Sequence, residues 1–96
     1  MSKGELRDDI VKAMASCLGV PLEDLYFHMN DDMEEFFSCD SMDKIDVILS
    51  LEQSFHFTSV SEDLDKLHTP SDIVGYALLR IEMEEEEKLG KLALSK

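Results

Sequence analysis

The chain is expected to fold as a small all-α domain of four helices. Apolar residues recur at three- and four-residue steps over several long stretches, and strong start and stop signals separate those stretches. The length of 96 residues allows a single modest hydrophobic core.

Residues 4–18 give the first helix, with Leu6, Ile10, Met14 and Cys17 or Leu18 on one face and mostly charged residues around the other. Gly19 offers a left-handed stop, and Pro21 prevents resumption. From Val20 to Cys39 the periodicity weakens. A connection this long needs pinning, and Leu22, Leu25, Phe27, Met29, Met33, Phe36 and Phe37 can supply it. The expectation is a long ordered loop, packed across the helices, with one helical turn after Asn30 or Asp31.

The central helix covers residues 40–55, and the rest of the chain is organised around it. Val47, Ile48, Leu51 and Phe55 form its core stripe at about 100° per residue. A second stripe of Met42, Ile45 and Leu49 points roughly the other way, with Asp46, Glu52 and Gln53 among or beside it. Burial on one side requires only one stripe. Asp40 or Ser41 is a good N-cap, and Asp43 favours the positive end of the helix dipole. A serine at that end sits where unpaired N–H groups stabilise added negative charge, including a phosphate.

Residues 56–69 hold a short third helix, for which Ser59 and Glu62 have capping-box spacing and Leu64 and Leu67 can turn inward. Thr69, Pro70 and Asp72 then start a fourth helix with Ile73, Val74, Ala77, Leu78 and Ile81 inward and Tyr76 at the border. Beyond Ile81 the chain turns acidic, and residues 83–96 read as a solvated extension of that helix and a tail. There, Glu84 with Lys88 and Glu87 with Lys91 have the favourable i,i+4 order, and Gly90 disfavours an unbroken helix. No repeat or second domain is found, so residues 1–96 are expected to form one domain.

The formal net charge of -13 argues against nucleic acid or an anionic membrane as partner, and basic protein surfaces are the natural alternative. No run reaches membrane-spanning length and no secretory pattern opens the chain. The only cysteines, Cys17 and Cys39, are too few for a disulfide framework and are expected to be reduced in a cytoplasmic protein. Cys39 has no assignable His or Asn partner, so it reads as a small loop hydrophobe. The acidic group around Asn30, Asp31 and Asp32 matches no EF-hand alignment, and His28, His56 and His68 have no zinc-ligand spacing. Neither a metal site nor a catalytic residue is expected, and self-repulsion favours a monomer.

Asp40, Ser41, Met42 and Asp43 resemble the Asp, Ser, Leu, Asp attachment motif of acyl carrier proteins, with Met in place of Leu. Ile45, Asp46, Val47, Leu49, Leu51, Glu52 and Phe55 follow in the register of that family's second helix. Glu62 to Tyr76 resembles its short third helix and the start of its fourth, and Leu18, Gly19 and Val20 the end of its first. The resemblance covers residues 5–80. It implies a four-helix bundle of the acyl-carrier type in which Ser41 is the attachment point for 4'-phosphopantetheine, with Asp40 beside it in the cofactor-binding site, the group being taken from coenzyme A by a phosphopantetheinyl transferase. Ser41 is then a substrate site, and the chain is not an enzyme. Acyl groups would be carried as thioesters, and acyl-loading, elongating and acyltransferase enzymes with basic docking surfaces would meet Met42, Asp43, Ile45, Asp46, Leu49 and Glu52.

Three features depart from that family. Its usual Asp, Leu, Gly approach is replaced by Phe36, Phe37 and Ser38, followed by Cys39, the preceding loop is slightly longer, and the tail after residue 82 is longer. These departures point to a specialised carrier in fatty-acid or lipid biosynthesis, such as lipid A assembly. A peptidyl or polyketide carrier is a near variant. The rival of a different class is an acidic helical interaction module that docks through the same stripe and holds no prosthetic group.

Overall fold

The computed structural model describes the backbone of residues 3–94 and the side chains of residues 4–85. Six helices follow one another: α1 (Lys3–Leu18), α2 (Leu22–Phe27), α3 (Met33–Phe36), α4 (Ser41–Phe55), α5 (Ser61–Leu64) and α6 (Pro70–Leu94). Among the described residues there is no strand. The four expected helices are α1, α4, α5 and α6, and α1 packs against α2, α4 and α6 while α4 also meets α6.

The stripe of α1 is shifted from the expected one. Ile10, Val11, Met14 and Ala15 are buried, whereas Cys17 is exposed and Leu6 and Leu18 are partly covered. Gly19, at φ +69°, ends the helix as the sequence predicts. Its N–H donates to the Ser16 carbonyl and the Val20 N–H to that of Ala15, the paired bonds of a Schellman stop.

The 20–39 connection contains more structure than its weak periodicity suggests. α2 was not expected; it is too short for a pattern to register, and burial of Leu25 holds it. α3 is the expected turn, capped one residue later than predicted by Asp32, whose carboxylate accepts from the Glu34 and Glu35 N–H groups. Leu25, Met29, Met33 and Cys39 enter the core. Two main-chain bonds tie the connection to the start of α6: Met33 N–H to the His68 carbonyl and Ser71 N–H to that of Met29, both at 2.9 Å.

Val47, Ile48 and Leu51 of α4 are buried as predicted, with Phe55 packed at the edge. His56, at φ 56°, closes the helix in the left-handed region. The expected Ser59–Glu62 capping box does not form. Val60 occupies the cap position of α5 without a side-chain bond, while the Ser59 hydroxyl and N–H both turn to the Glu52 carboxylate. Polar groups on α6 hold the same segment. Arg80 Nε donates to the Thr58 carbonyl at 2.7 Å, and the Tyr76 hydroxyl accepts from Val60 N–H and donates to Asp63.

α6 starts on the predicted signal. The Thr69 hydroxyl accepts from Asp72 N–H, and the Asp72 carboxylate accepts from Thr69 N–H. Ile73, Val74, Ala77 and Ile81 face inward. The backbone stays helical through Gly90 to Leu94, contrary to the expected break. The Lys88 and Lys91 pairs lie outside the described side chains; Glu84 Oε1 accepts from Thr58 N–H at 3.0 Å. No helix of the described residues is long and apolar enough to cross a membrane.

Leu51 is 1 % exposed at the centre of this core. Leu51→Ala should lower the unfolding free energy by about 2 to 5 kcal/mol, read as a reduced urea midpoint.

Candidate functional site

The start of α4 is where the predicted site residues meet. Asp40, not Ser41, is the N-cap: its Oδ1 accepts from Asp43 N–H at 2.9 Å, and Asp43 Oδ2 accepts from Asp40 N–H at 3.3 Å. Two short acidic side chains thus close the helix start reciprocally. Ser41 becomes the first residue of the helix, exposed and relieved of the capping role. Among the described residues no protein group takes up its hydroxyl.

The residues before it turn sharply. Ser38 has φ 53°, in the left-handed region where glycine is at ease and other residues are strained. Ser38 thus adopts, at the position of the missing glycine, a backbone conformation that glycine takes without strain. Cys39 follows, buried, its Sγ donating to the Phe37 carbonyl at 3.7 Å. Burial, and then the carboxylates of Asp43 and Asp40, push its thiol pKa up, which keeps it protonated and a poor nucleophile.

Glu34, Ser38, Cys39, Asp40 and Ser41 line an open depression of about 400 Å³. The depression is open to solvent beside Ser41. A second, more enclosed pocket of about 230 Å³ lies between the end of α1 and α4, lined by Cys17, Leu18, Phe37, Cys39, Asp43, Asp46 and Val47.

The second stripe of α4 is open to solvent. Met42 is 73 % exposed, Ile45 41 % and Leu49 48 %, with Asp43 and Asp46 exposed beside them. Glu52 continues the line at the next turn, half-buried, with one carboxylate oxygen already committed to Ser59.

Lys44 was not singled out from the sequence. It is buried, and its Nζ lies 3.4 Å from Glu34 Oε1 and donates to the Leu67 carbonyl at 3.3 Å. One amine thereby joins α3, α4 and the turn before α6. Its position three, four and seven residues before Val47, Ile48 and Leu51 places it on the core stripe, a signal that its charge obscured.

No group of three His, Cys, Asp or Glu side chains among the described residues is placed to hold a metal ion. His28 pairs with Asp31 at 2.6 Å within a cluster of phenylalanine rings, away from any grouping with the other two histidines.

The architecture and the site define a helical bundle that presents one serine at the capped start of its central helix. No family model matches the chain. The chain is 31% identical over 75 residues to an acyl carrier protein of Chlamydia felis, covering 78% of this chain and 94% of that one. It is 30% identical over 78 residues to one from Exiguobacterium sp., covering 79% and 94%, and 29% identical over 75 residues to one from Chlamydia caviae, covering 78% and 95%. This chain belongs to the acyl carrier protein family.

The positive φ of Ser38 carries a testable cost. Ser38→Gly should raise stability in urea by about 0.5 to 1 kcal/mol, the relief of left-handed strain exceeding the entropy glycine adds to the unfolded chain.

Proposed function

We propose that this protein carries acyl groups as thioesters on a 4'-phosphopantetheine arm attached to Ser41, for enzymes of fatty-acid or related lipid biosynthesis. The observation that carries the reading is the state of Ser41: an exposed residue whose hydroxyl has no protein partner among the described residues, at the first position of a helix whose cap is supplied by its neighbour. The residues present fit the group. The helix start suits a phosphodiester, and the open depression beside Ser41 leaves room for the arm.

When bound, 4'-phosphopantetheine supplies a terminal thiol that holds the acyl group. The chain's own residues do the rest. Asp40 and Asp43 fix the first turn of α4 so that the Ser41 hydroxyl faces a phosphopantetheinyl transferase. Lys44, anchored to Glu34 and to the Leu67 carbonyl, keeps the loop and the helix in one arrangement. Met42, Ile45 and Leu49 offer apolar contact to partner enzymes, and Asp43, Asp46 and the free oxygen of Glu52 offer ion pairs to their basic surfaces. The protein works as a cytoplasmic monomer and a substrate of its partners, with no catalytic residue of its own.

Incubation with coenzyme A, magnesium and a phosphopantetheinyl transferase should add the mass of one phosphopantetheine group, and Ser41→Ala should abolish the gain. A folded parent chain that stays unmodified with its cognate transferase would instead favour an interaction module without a prosthetic group. Asp46→Lys should weaken association with a basic partner enzyme about three- to tenfold at physiological salt while leaving helicity unchanged, read by partner KM and circular dichroism.

A further inference from the structure

A second surface lies outside α4 and is not used by the carrier reading. Phe27 of α2 is 84 % exposed and Phe36 of α3 is 49 % exposed. They belong to one continuous row of rings. Phe27 meets His28 edge-on at 5.2 Å between centroids, His28 stacks on Phe36 at 3.6 Å, and Phe36 meets Phe37 at 5.2 Å. Phe37 is half-buried and reaches the pocket that holds Asp43 and Asp46, so the row joins the acidic side of α4. Core demand does not explain the two outer rings: Leu25, Met29 and Met33 already bury this connection, and Phe27 adds little to it.

Apart from His28, the chain segment that carries the row holds charge of one sign. No lysine or arginine occurs between Lys12 and Lys44, a stretch that carries Glu23, Asp24, Asp31, Asp32, Glu34 and Glu35. Lys44 itself is buried. Glu23 is four residues before Phe27 on the same short helix and so shares its face, while Glu35 adjoins Phe36. Asp31 is paired with His28 and Glu34 with Lys44, which leaves Glu23 and Glu35 beside the exposed rings. Apolar rings with carboxylates next to them complement a surface that is apolar at its centre and basic at its edge. That combination disfavours an anionic lipid surface and, at a net charge of -13, a second copy of this chain.

We propose that the Phe27–His28–Phe36 row is a docking surface for a basic amphipathic segment of another protein, its apolar side chains seated on Phe27 and Phe36 and its lysines or arginines on the surrounding acids. The surface does not require Ser41 to be modified. It gives the protein a contact that a partner reading only the Met42, Ile45 and Leu49 stripe would not use.

The test titrates the full ¹⁵N-labelled chain carrying Ser41→Ala with a synthetic amphipathic Leu/Lys helical peptide at physiological salt. The Ser41 variant separates this surface from the fate of the carrier reading. The largest amide shifts are expected at residues 26–28 and 36–37. Phe27→Ser with Phe36→Ser should weaken binding about tenfold or more. Glu23→Lys with Glu35→Lys leaves the rings in place and should also weaken binding, with a reduced salt dependence. Shifts confined to Met42, Ile45 and Leu49, or unchanged affinity in both double variants, would overturn the proposal. So would a dimer in sedimentation that the phenylalanine variant dissolves, or binding to phosphatidylcholine vesicles that the same variant abolishes, since these name a different occupant.

Discussion

The structure depends on how α4 begins. A helix start leaves backbone N–H groups without partners, and here the Asp40 carboxylate meets that need while Asp43 reciprocates. Had Ser41 been the cap, its hydroxyl would be directed back into the first turn. Because Asp40 takes that task, Ser41 sits at the first helical position with its hydroxyl exposed. Everything behind it serves to hold that start in place. Ser38 accepts a left-handed backbone, Cys39 is buried as an anchor, and Lys44 reaches across to α3 and to the turn before α6.

Lys44 shows how a charge can work inside a small core. A buried ammonium without partners would be strongly disfavoured, and this one has a carboxylate and a carbonyl within reach. Its stem lies on the core stripe while the amine sits between α3 and the turn before α6, which the Met33–His68 main-chain bond also joins. The partner carboxylate, Glu34, is itself more than half exposed. The cation is therefore shielded on the protein side and compensated at the surface.

The long connection before α4 has a different logic. It has little regular structure of its own, so its order comes from tertiary contacts: methionines and Leu25 in the core, and main-chain bonds to the first residues of α6. Once those anchors are buried, the short helices between them present what remains, which is Phe27, Phe36 and a set of acids. The segment after α4 is held by polar groups instead. Glu52, Tyr76, Arg80 and Glu84 each bond to the segment from Thr58 to Val60, which has few apolar side chains to bury.

Sequence alone determined the all-helical class, the core stripe of α4, the Gly19 stop, the Thr69–Pro70–Asp72 start and the second stripe around Met42, because each follows from local periodicity or local capping chemistry. It narrowed the cap to Asp40 or Ser41 but could not choose, since both side chains can accept the same N–H groups. The folded helix start decided that choice through the reciprocal Asp40–Asp43 bonds, and with it the exposure of Ser41. Tertiary contacts also decided what spacing does not encode: that Ser59 turns to Glu52 and not to Glu62, that Lys44 goes inward, and that Val20 to Cys39 folds into two short helices with its rings in a row. These outcomes depend on partners distant in the chain, and a local pattern carries no record of which partner arrives.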